Sequence, residues 1–315
     1  MPTKEATAPA DVQVRSVLIA DDFSPASEKA LRHGVAIAQH YDAKLYLAHV
    51  VSSVGLDIAG PEAIAQATTL ALRDLTEKER ELVVSGLLKD MSHEVIVRQG
   101  NIWAELKSVI REESIDLLVL GTHARKGFKR LVLGSVAEQI FRQAWCRVLA
   151  VGPCSPPDAA LASNGTPRPL LFATDFSEAS LRALPQAADL ANQRRATLVL
   201  LHVISLANRL RDNSWYGPND LARMETQSEA AAQKQLQQLT VNLQLVVPPS
   251  HITIFGEPAE GILQAARKLN AEVLVMGLSC RDHIDTISHL PWSTAYEVVC
   301  NAACPVLTVR TTVHK

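Results

Sequence analysis

The sequence predicts an α/β protein made of two tandem doubly wound domains, each with a five-stranded parallel sheet. The chain repeats its own motifs in the same order along its whole length. Within each repeat, short apolar runs alternate with segments of helical periodicity, the pattern of a parallel sheet covered by helices on both faces. The length of 315 residues also suits about two domains of ordinary size.

The internal repeat sets the domain organisation. Its matching segments, in chain order, are Leu18–Ser24 with Leu171–Ser177, Leu47–Val50 with Leu200–Val203, Leu117–Gly121 with Val273–Gly277, and Cys146–Val151 with Cys304–Val309. The segment between the copies is rich in proline, which favours neither a helix nor a central strand. We therefore predict a first domain at 1–151, a linker at 152–169 and a second domain at 170–315.

The apolar runs of the first copy are its predicted strands: Val14–Ala20, Lys44–Val50, Glu94–Arg98, Leu117–Gly121 and Val148–Val151. Helical spacing between them predicts helices over Pro25–Gln39, about Pro61–Leu88, Ile102–Glu113 and Ser135–Gln143. Ser24 followed by Pro25 is a good helix start, since serine caps free N–H groups and proline suits the first turn. In the second copy, one apolar stripe predicts a long helix and comprises Leu221, Met224, Ala232, Leu236, Leu239 and Leu243.

Composition excludes several classes of protein. Hydrophobic residues make up 47% of the chain and charged residues 20%, which favours a packed core over disorder. The net charge of -2 lacks the basic excess of a nucleic-acid partner. The polar segment Met1–Val14 is no secretory signal, no apolar stretch approaches membrane-spanning length, and the five cysteines indicate reduced thiols. We expect a cytoplasmic protein that contacts neither a membrane nor nucleic acid.

The segment that follows the fourth strand carries the main functional signal. Gly121 ends the strand, where backbone would come close to a ligand, and Gly134 with Ser135 opens the next helix, offering N–H groups to an anion. The basic residues between them are Arg125, Lys126, Lys129 and Arg130. An ordinary strand-to-helix connection with a solvated basic loop explains the same residues. The usual catalytic signatures are missing, and we assign no catalytic residue.

This segment resembles the nucleotide loop of the universal stress protein family, Gly-x2-Gly-x9-Gly-Ser/Thr, which it matches at Gly121, Gly134 and Ser135. The family's Asp-Phe-Ser after the first strand stands here as Asp22-Phe23-Ser24. The resemblance covers both copies. It implies a cytoplasmic stress-response protein, often an ATP binder, with the adenine-nucleotide-binding fold of five parallel strands and flavodoxin-like layering.

The resemblance also implies the positions of a nucleotide site. Asp22 and Val50 would face the adenine, and Ala20 and Gly121 would lie by the ribose. The residues around the phosphates, with Mg²⁺ as an accompanying ion, would be Leu120, Ala124, Gly134, Ser135 and Val136. Asp22 has an alternative role as a carboxylate that caps N–H groups at the start of a helix.

Two departures from the family pattern bear on this site. Ala124 stands at the family's second glycine, which predicts weak or absent ATP binding in the first copy. In the second copy, Cys280 stands at that glycine and Trp292 at the position of Gly134, so we predict at most one nucleotide per chain. The loop that holds Cys280, His283 and His289 has no standard metal-ligand spacing, and we assign no metal. His49 and His202 stand at equivalent strand ends and are interpreted as structural.

These observations favour a nucleotide-binding or sensing protein without efficient catalysis. A slow ATPase or adenylating enzyme, and an interaction module without a ligand, are the alternatives. In the family, the last strand typically pairs across a two-fold axis. We therefore predict that Val148–Val151 pairs with Val306–Val309 about an internal pseudo-two-fold, and a homodimer of chains stays open.

Overall fold

The structure, a computed structural model, describes residues 13–52, 60–122, 134–156, 167–205, 218–278 and 290–310. Residues 13–152 are called the first half and residues 167–310 the second half. No helix within the described ranges is both long enough and apolar enough to span a bilayer.

The first half alternates strands and helices. Its elements are β1 Ser16–Ala20, α1 Pro25–Tyr41, β2 Lys44–Ser52, α2 Pro61–Val84, β3 His93–Gly100, α3 Ile102–Glu112, β4 Leu117–Gly121, α4 Ser135–Gln143 and β5 Arg147–Val151. The second half repeats the plan with a broken first helix. Its elements are β6 Leu170–Ala173, α5 Glu178–Arg182, α6 Leu184–Arg194, β7 Leu198–Ile204, α7 Pro218–Thr240, β8 Ser250–Phe255, α8 Pro258–Lys268, β9 Leu274–Leu278, α9 Leu290–Asn301 and β10 Val306–Arg310.

Several predicted element boundaries differ from the structure by one to four residues, among them the start of β1 and the end of α2. β1 begins at Ser16, although Val14 is buried against the same core. α2 ends at Val84 and not near Leu88, because Gly86 follows with a left-handed φ of 79° and stops the helix. Leu88 is nevertheless buried and donates its N–H to Leu82, so its apolar character reflects core packing after the turn.

The predicted stripe of α7 is confirmed in its C-terminal half and wrong at Met224, and the side chain of Leu221 lies outside the described residues. Ala232 and Leu236 are buried, whereas Met224 is 38% exposed. Leu243 packs against the core from beyond the helix, which ends at Thr240.

All ten strands form one sheet in the order β3-β2-β1-β4-β5-β10-β9-β6-β7-β8. The five strands of each half are parallel to one another, and β5 pairs with β10 in antiparallel register, with Leu149 opposite Leu307. The predicted fold class and the predicted pairing of the two halves about a pseudo-two-fold are confirmed.

The helices cover the sheet in two layers, and each layer of core runs across the junction between the halves. One layer contains buried residues of α3, α4, α8 and α9, and the other contains buried residues of α1, α2, α6 and α7. Leu149 and Leu307 belong to the second layer, and Val148 and Val306 to the first. The junction is therefore a fully buried part of the core, and the two halves share its hydrophobic stabilisation.

Candidate functional site

The candidate site lies at the carboxyl ends of β1 and β4. These neighbouring strands pair with Ala20 opposite Leu120, and the chain leaves them in opposite directions, from β1 to β2 on one side and from β4 to β5 on the other. Such a switch point leaves a crevice at the strand ends, where doubly wound proteins bind ligands. Val50 lies near the end of the adjacent strand β2, so four of the predicted residues (Ala20, Val50, Leu120 and Gly121) meet at one edge of the sheet.

A tight turn connects β1 to α1. The buried carboxylate of Asp21 accepts hydrogen bonds at Oδ1 from the backbone N–H of Phe23 at 2.7 Å and from the Ser27 hydroxyl at 2.8 Å. Phe23 has a left-handed φ of 60°, which the bond to Asp21 holds in place. The Ser24 hydroxyl accepts from the N–H of Ser27 and caps α1, as the sequence predicts.

Asp22 caps a backbone N–H group at the entry to α1, just before the helix cap Ser24. Its Oδ1 accepts from the N–H of Ser24 at 3.1 Å, and its side chain faces solvent. Asp175 does the same in the second half, accepting from Ser177 N–H at 2.9 Å. Burial raises the pKa of Asp175, but the hydrogen bonds from Ser177 outweigh it and lower the pKa below its ordinary value. The capping role therefore accounts for an aspartate in both halves, and the contact of Asp22 with adenine stays a prediction.

The two strand-end histidines have matching structural contacts. His49 Nδ1 lies 2.7 Å from the Asp21 carbonyl oxygen, and its ring stacks on Phe23 with centroids 4.6 Å apart. His202 Nδ1 lies 2.8 Å from the Thr174 carbonyl, and its ring lies 4.4 Å from that of Phe176. The turn after the first strand of each half thus has the same contacts, although Asp21 stands there in the first half and Thr174 in the second.

Lys78 of α2 is a part of the site that the sequence reasoning missed. Its Nζ lies 2.6 Å from Asp21 Oδ2, whose side chain is fully buried, and 3.4 Å from Glu28 Oε2. In the second half Thr174 takes the position of Asp21. Its hydroxyl shares a hydrogen bond of 2.9 Å with the hydroxyl of Ser180, and neither group is charged. The sequence carries one signal of this pair, since Asp21 follows a buried strand at a position where the other copy has threonine. A buried carboxylate needs a positive partner.

Gly121 has a packing reason to be glycine. A Cβ atom there would lie 2.4 Å from the carbonyl carbon of Ala26 and 2.6 Å from the N atom of Ser27, inside the first turn of α1. At Gly277 in the second half a Cβ would lie 2.0 Å from the Ala179 carbonyl oxygen. Both glycines allow a helix to pack directly on a strand end. The structure thus explains Gly121 without the close approach of a ligand that the sequence suggested, and its place beside a ribose stays a prediction.

Gly134 is different. It is the N-cap of α4 with an ordinary φ of -61°, and a Cβ there would meet no atom of the described residues within 4 Å. The next residue, Ser135, is exposed, and Val136 is half-buried against the core. Gly134 has no side chain to cap the helix, so the first N–H groups of α4 can receive an anion.

The rest of the loop lies outside the described residues. This applies to Ala124, to the basic positions 125–130, and to Cys280, His283 and His289 of the second half. Among the residues that the structure describes, no group of His, Cys, Asp or Glu side chains is arranged to hold a metal ion. Of the described cysteines, Cys146, Cys300 and Cys304 are buried thiols, and Cys154 is exposed.

Two paired halves, each with a parallel five-stranded sheet covered by helices on both faces, define a tandem protein of the doubly wound type. Residues 13–152 and residues 167–310 each match the sequence model of the universal stress protein family, and the chain belongs to that family. The resemblance stated from the sequence is confirmed, as is the presence of two such domains in tandem.

Several named universal stress proteins are similar to this chain. Universal stress protein MJ0531 of Methanocaldococcus jannaschii is 30% identical over 141 residues, which cover 44% of this chain and 81% of that protein. Universal stress protein MJ0577 of the same organism is 26% identical over 155 residues and is covered over 96% of its length. The solved structure of a universal stress protein from Archaeoglobus fulgidus has the same fold, with a TM-score of 0.68 and 21% identity over 95% of this chain and 99% of that chain.

Proposed function

We propose that this chain is a cytoplasmic stress-response protein that binds or senses ATP in its first half and has no efficient catalytic activity. The observation that carries the proposal is Gly134. Neither its backbone angle nor the packing of the described residues requires glycine, yet it opens a helix at the switch point of the sheet. A missing side chain at that place suits the close approach of a phosphate to helix N–H groups.

The residues at the strand ends favour binding over chemistry. Asp21 is engaged by Lys78, Ser27 and the backbone, and the described contact of Asp22 is to the start of α1. A carboxylate that abstracts a proton or holds Mg²⁺ needs to be directed at the ligand. Both aspartates are engaged by groups of the protein itself, which favours a binding protein over an ATPase or an adenylating enzyme. Mg²⁺ would then arrive with the nucleotide and be held mainly by its phosphates.

A titration of ATP into the full chain at one fixed salt concentration tests the site. We expect weak binding with one nucleotide per chain. Gly134→Val should abolish binding, because its branched side chain would cover the N-terminus of α4. Ala124→Gly should tighten binding by roughly tenfold, since a loop alanine in place of glycine costs about 1–2 kcal/mol and 1.4 kcal/mol corresponds to one decade.

The matched control lies in the second half. Trp292→Ala changes the position that corresponds to Gly134 and should leave both the affinity and the stoichiometry unchanged. Equal affinity of the natural protein and Gly134→Val would contradict the proposed site. If Ala124→Gly binds ATP no better than the natural protein, position 124 does not need glycine. Release of ADP at a rate typical of enzymes would favour the ATPase alternative.

A further inference from the structure

A buried histidine outside the candidate site carries a further inference. His33 lies on α1 and is only 1% exposed, and neither of its ring nitrogens has a hydrogen-bond partner among the described residues. A buried imidazole without a partner is unusual, because buried polar groups are normally hydrogen-bonded. The side chain is therefore held neutral by its surroundings.

The start of the linker covers this part of α1. The Lys29 ammonium, one turn before His33, donates to the carbonyl oxygens of Pro153 at 2.8 Å and Ser155 at 3.1 Å. Ser155 is 2% exposed, and its hydroxyl has no partner within the described structure. Residues 152–156, here called the latch segment, are thus docked on the helix by the hydrogen bonds of Lys29 and contain a second buried polar group without a described partner.

The electrostatic surroundings oppose a charge on His33. The pKa of His33 is lowered to about 4, mainly by burial; the cations Arg168 and Lys29 also lower it, whereas the backbone of Pro156 raises it without meeting hydrogen-bond geometry. Lys29 acts from α1, and Arg168 from the segment that leads into β6. Protonation of the imidazole would therefore place a third positive charge near Lys29 and Arg168, which would repel it.

The second half supplies the comparison. The repeat places Gln186 at the position of His33, and this side chain is also buried but cannot be protonated. Its Nε2 donates to the Tyr41 hydroxyl at 3.3 Å, so the neutral amide packs at the equivalent position on α6. Glutamine is therefore a residue that this fold already accepts at the site, and it lacks the charge change.

We propose that His33 makes the latch segment acid-sensitive, so that protonation of the imidazole releases residues 152–156 from α1. The released state exposes His33 to water and binds the proton more strongly than the docked state, so acid favours release. The latch segment begins at Gly152, directly after β5 and beside Thr122, whose N–H donates to Val151 at 2.9 Å. Release would thus loosen the chain next to the point where the loop of the candidate site begins.

Hydrogen exchange of the full chain, expressed as protection factors between pH 7 and pH 5, tests the proposal. Because the released state binds the proton more strongly than the docked state, the equilibrium constant for opening of the latch segment should rise more than tenfold from pH 7 to pH 5. In His33→Gln, the same equilibrium constant should change by less than twofold. As a second variant, His33→Asn keeps a neutral polar side chain and should behave like His33→Gln.

The amides of β4 serve as the internal control, because they report unfolding of the whole domain. We expect them to stay protected at pH 5 while the latch segment opens. The amides that report on the latch segment are those of Gly152, Cys154 and Ser155, since Pro153 and Pro156 have none. Full protection of these three amides in the natural protein at pH 5 would overturn the proposal, and so would an equal loss of protection in His33→Gln. Loss of protection in β4 and the latch segment together would also overturn it, since the response would then be general acid unfolding.

Discussion

Replacement of Lys78 by methionine should lower the free energy of unfolding by about 3–5 kcal/mol, the usual cost of leaving one charge of a buried pair without its partner. The side chain of Asp21 is fully buried and that of Lys78 is 17% exposed, with 2.6 Å between Nζ and Oδ2. Methionine keeps most of the apolar stem of lysine, so the loss would come from the carboxylate that stays behind. Urea unfolding at pH 7 measures the change.

The second half provides the rescue variant. Asp21→Thr with Lys78→Met recreates the uncharged arrangement of Thr174 and Ser180, since Ser27 stands where Ser180 stands. We expect this double variant to unfold within about 1 kcal/mol of the natural protein, because a buried ion pair can be replaced by well-packed neutral groups at little cost. A Lys78→Met protein as stable as the natural one would show that the pair contributes nothing, and a double variant no better than Lys78→Met would show that the two residues are not coupled.

Gly121→Ala and Gly277→Ala should each lower the free energy of unfolding by about 3 kcal/mol or more. This is the upper end of the usual effect of overpacking a core. The added methyl groups would lie 2.4 Å and 2.0 Å from backbone atoms of the first helical turn, and backbone cannot move aside as a flexible side chain can. The loss should appear without any nucleotide, as a lower urea midpoint with an unchanged slope.

Gly134→Ala is the matched control. Its added methyl group meets no described atom within 4 Å, and its φ of -61° suits any residue, so stability should change by less than about 0.5 kcal/mol. A stable Gly121→Ala protein that has lost ATP binding would mean that Gly121 serves a ligand and not the packing of α1. A large loss of stability in Gly134→Ala would show that its surroundings are tighter than the described contacts indicate.

The sequence predicted those parts of the fold that depend on local pattern and on the repeat. β4 and α4 lie where the pattern placed them, because a buried apolar run and an amphipathic segment are unambiguous over that length. The end of α2 was placed wrongly, since Leu88 continues the apolar pattern although Gly86 ends the helix. The pairing of β5 with β10 followed from the resemblance and not from any pattern within the strands.

The site was less predictable, because its contacts join residues that are far apart in the chain. The pair of Lys78 with Asp21 depends on how α2 crosses the end of β1, and the packing reason for Gly121 depends on how closely α1 approaches β4. The contact of α1 with the latch segment joins Lys29 to a residue more than a hundred positions later. No local pattern contains this information, whereas the motif positions around Asp22 and Gly134 could be read directly.

The antiparallel contact of β5 with β10 inverts one half relative to the other, so the carboxyl edge of the first half-sheet is the amino edge of the second. The chain therefore leaves β5 and starts β6 on the same side of the molecule, and a tether can join the halves without crossing the sheet. In such an arrangement, a symmetric association between two separate subunits becomes an intramolecular one at high effective concentration. Dilution no longer dissociates the pair, and the carboxyl ends of the strands lie on opposite edges of the sheet in the two halves.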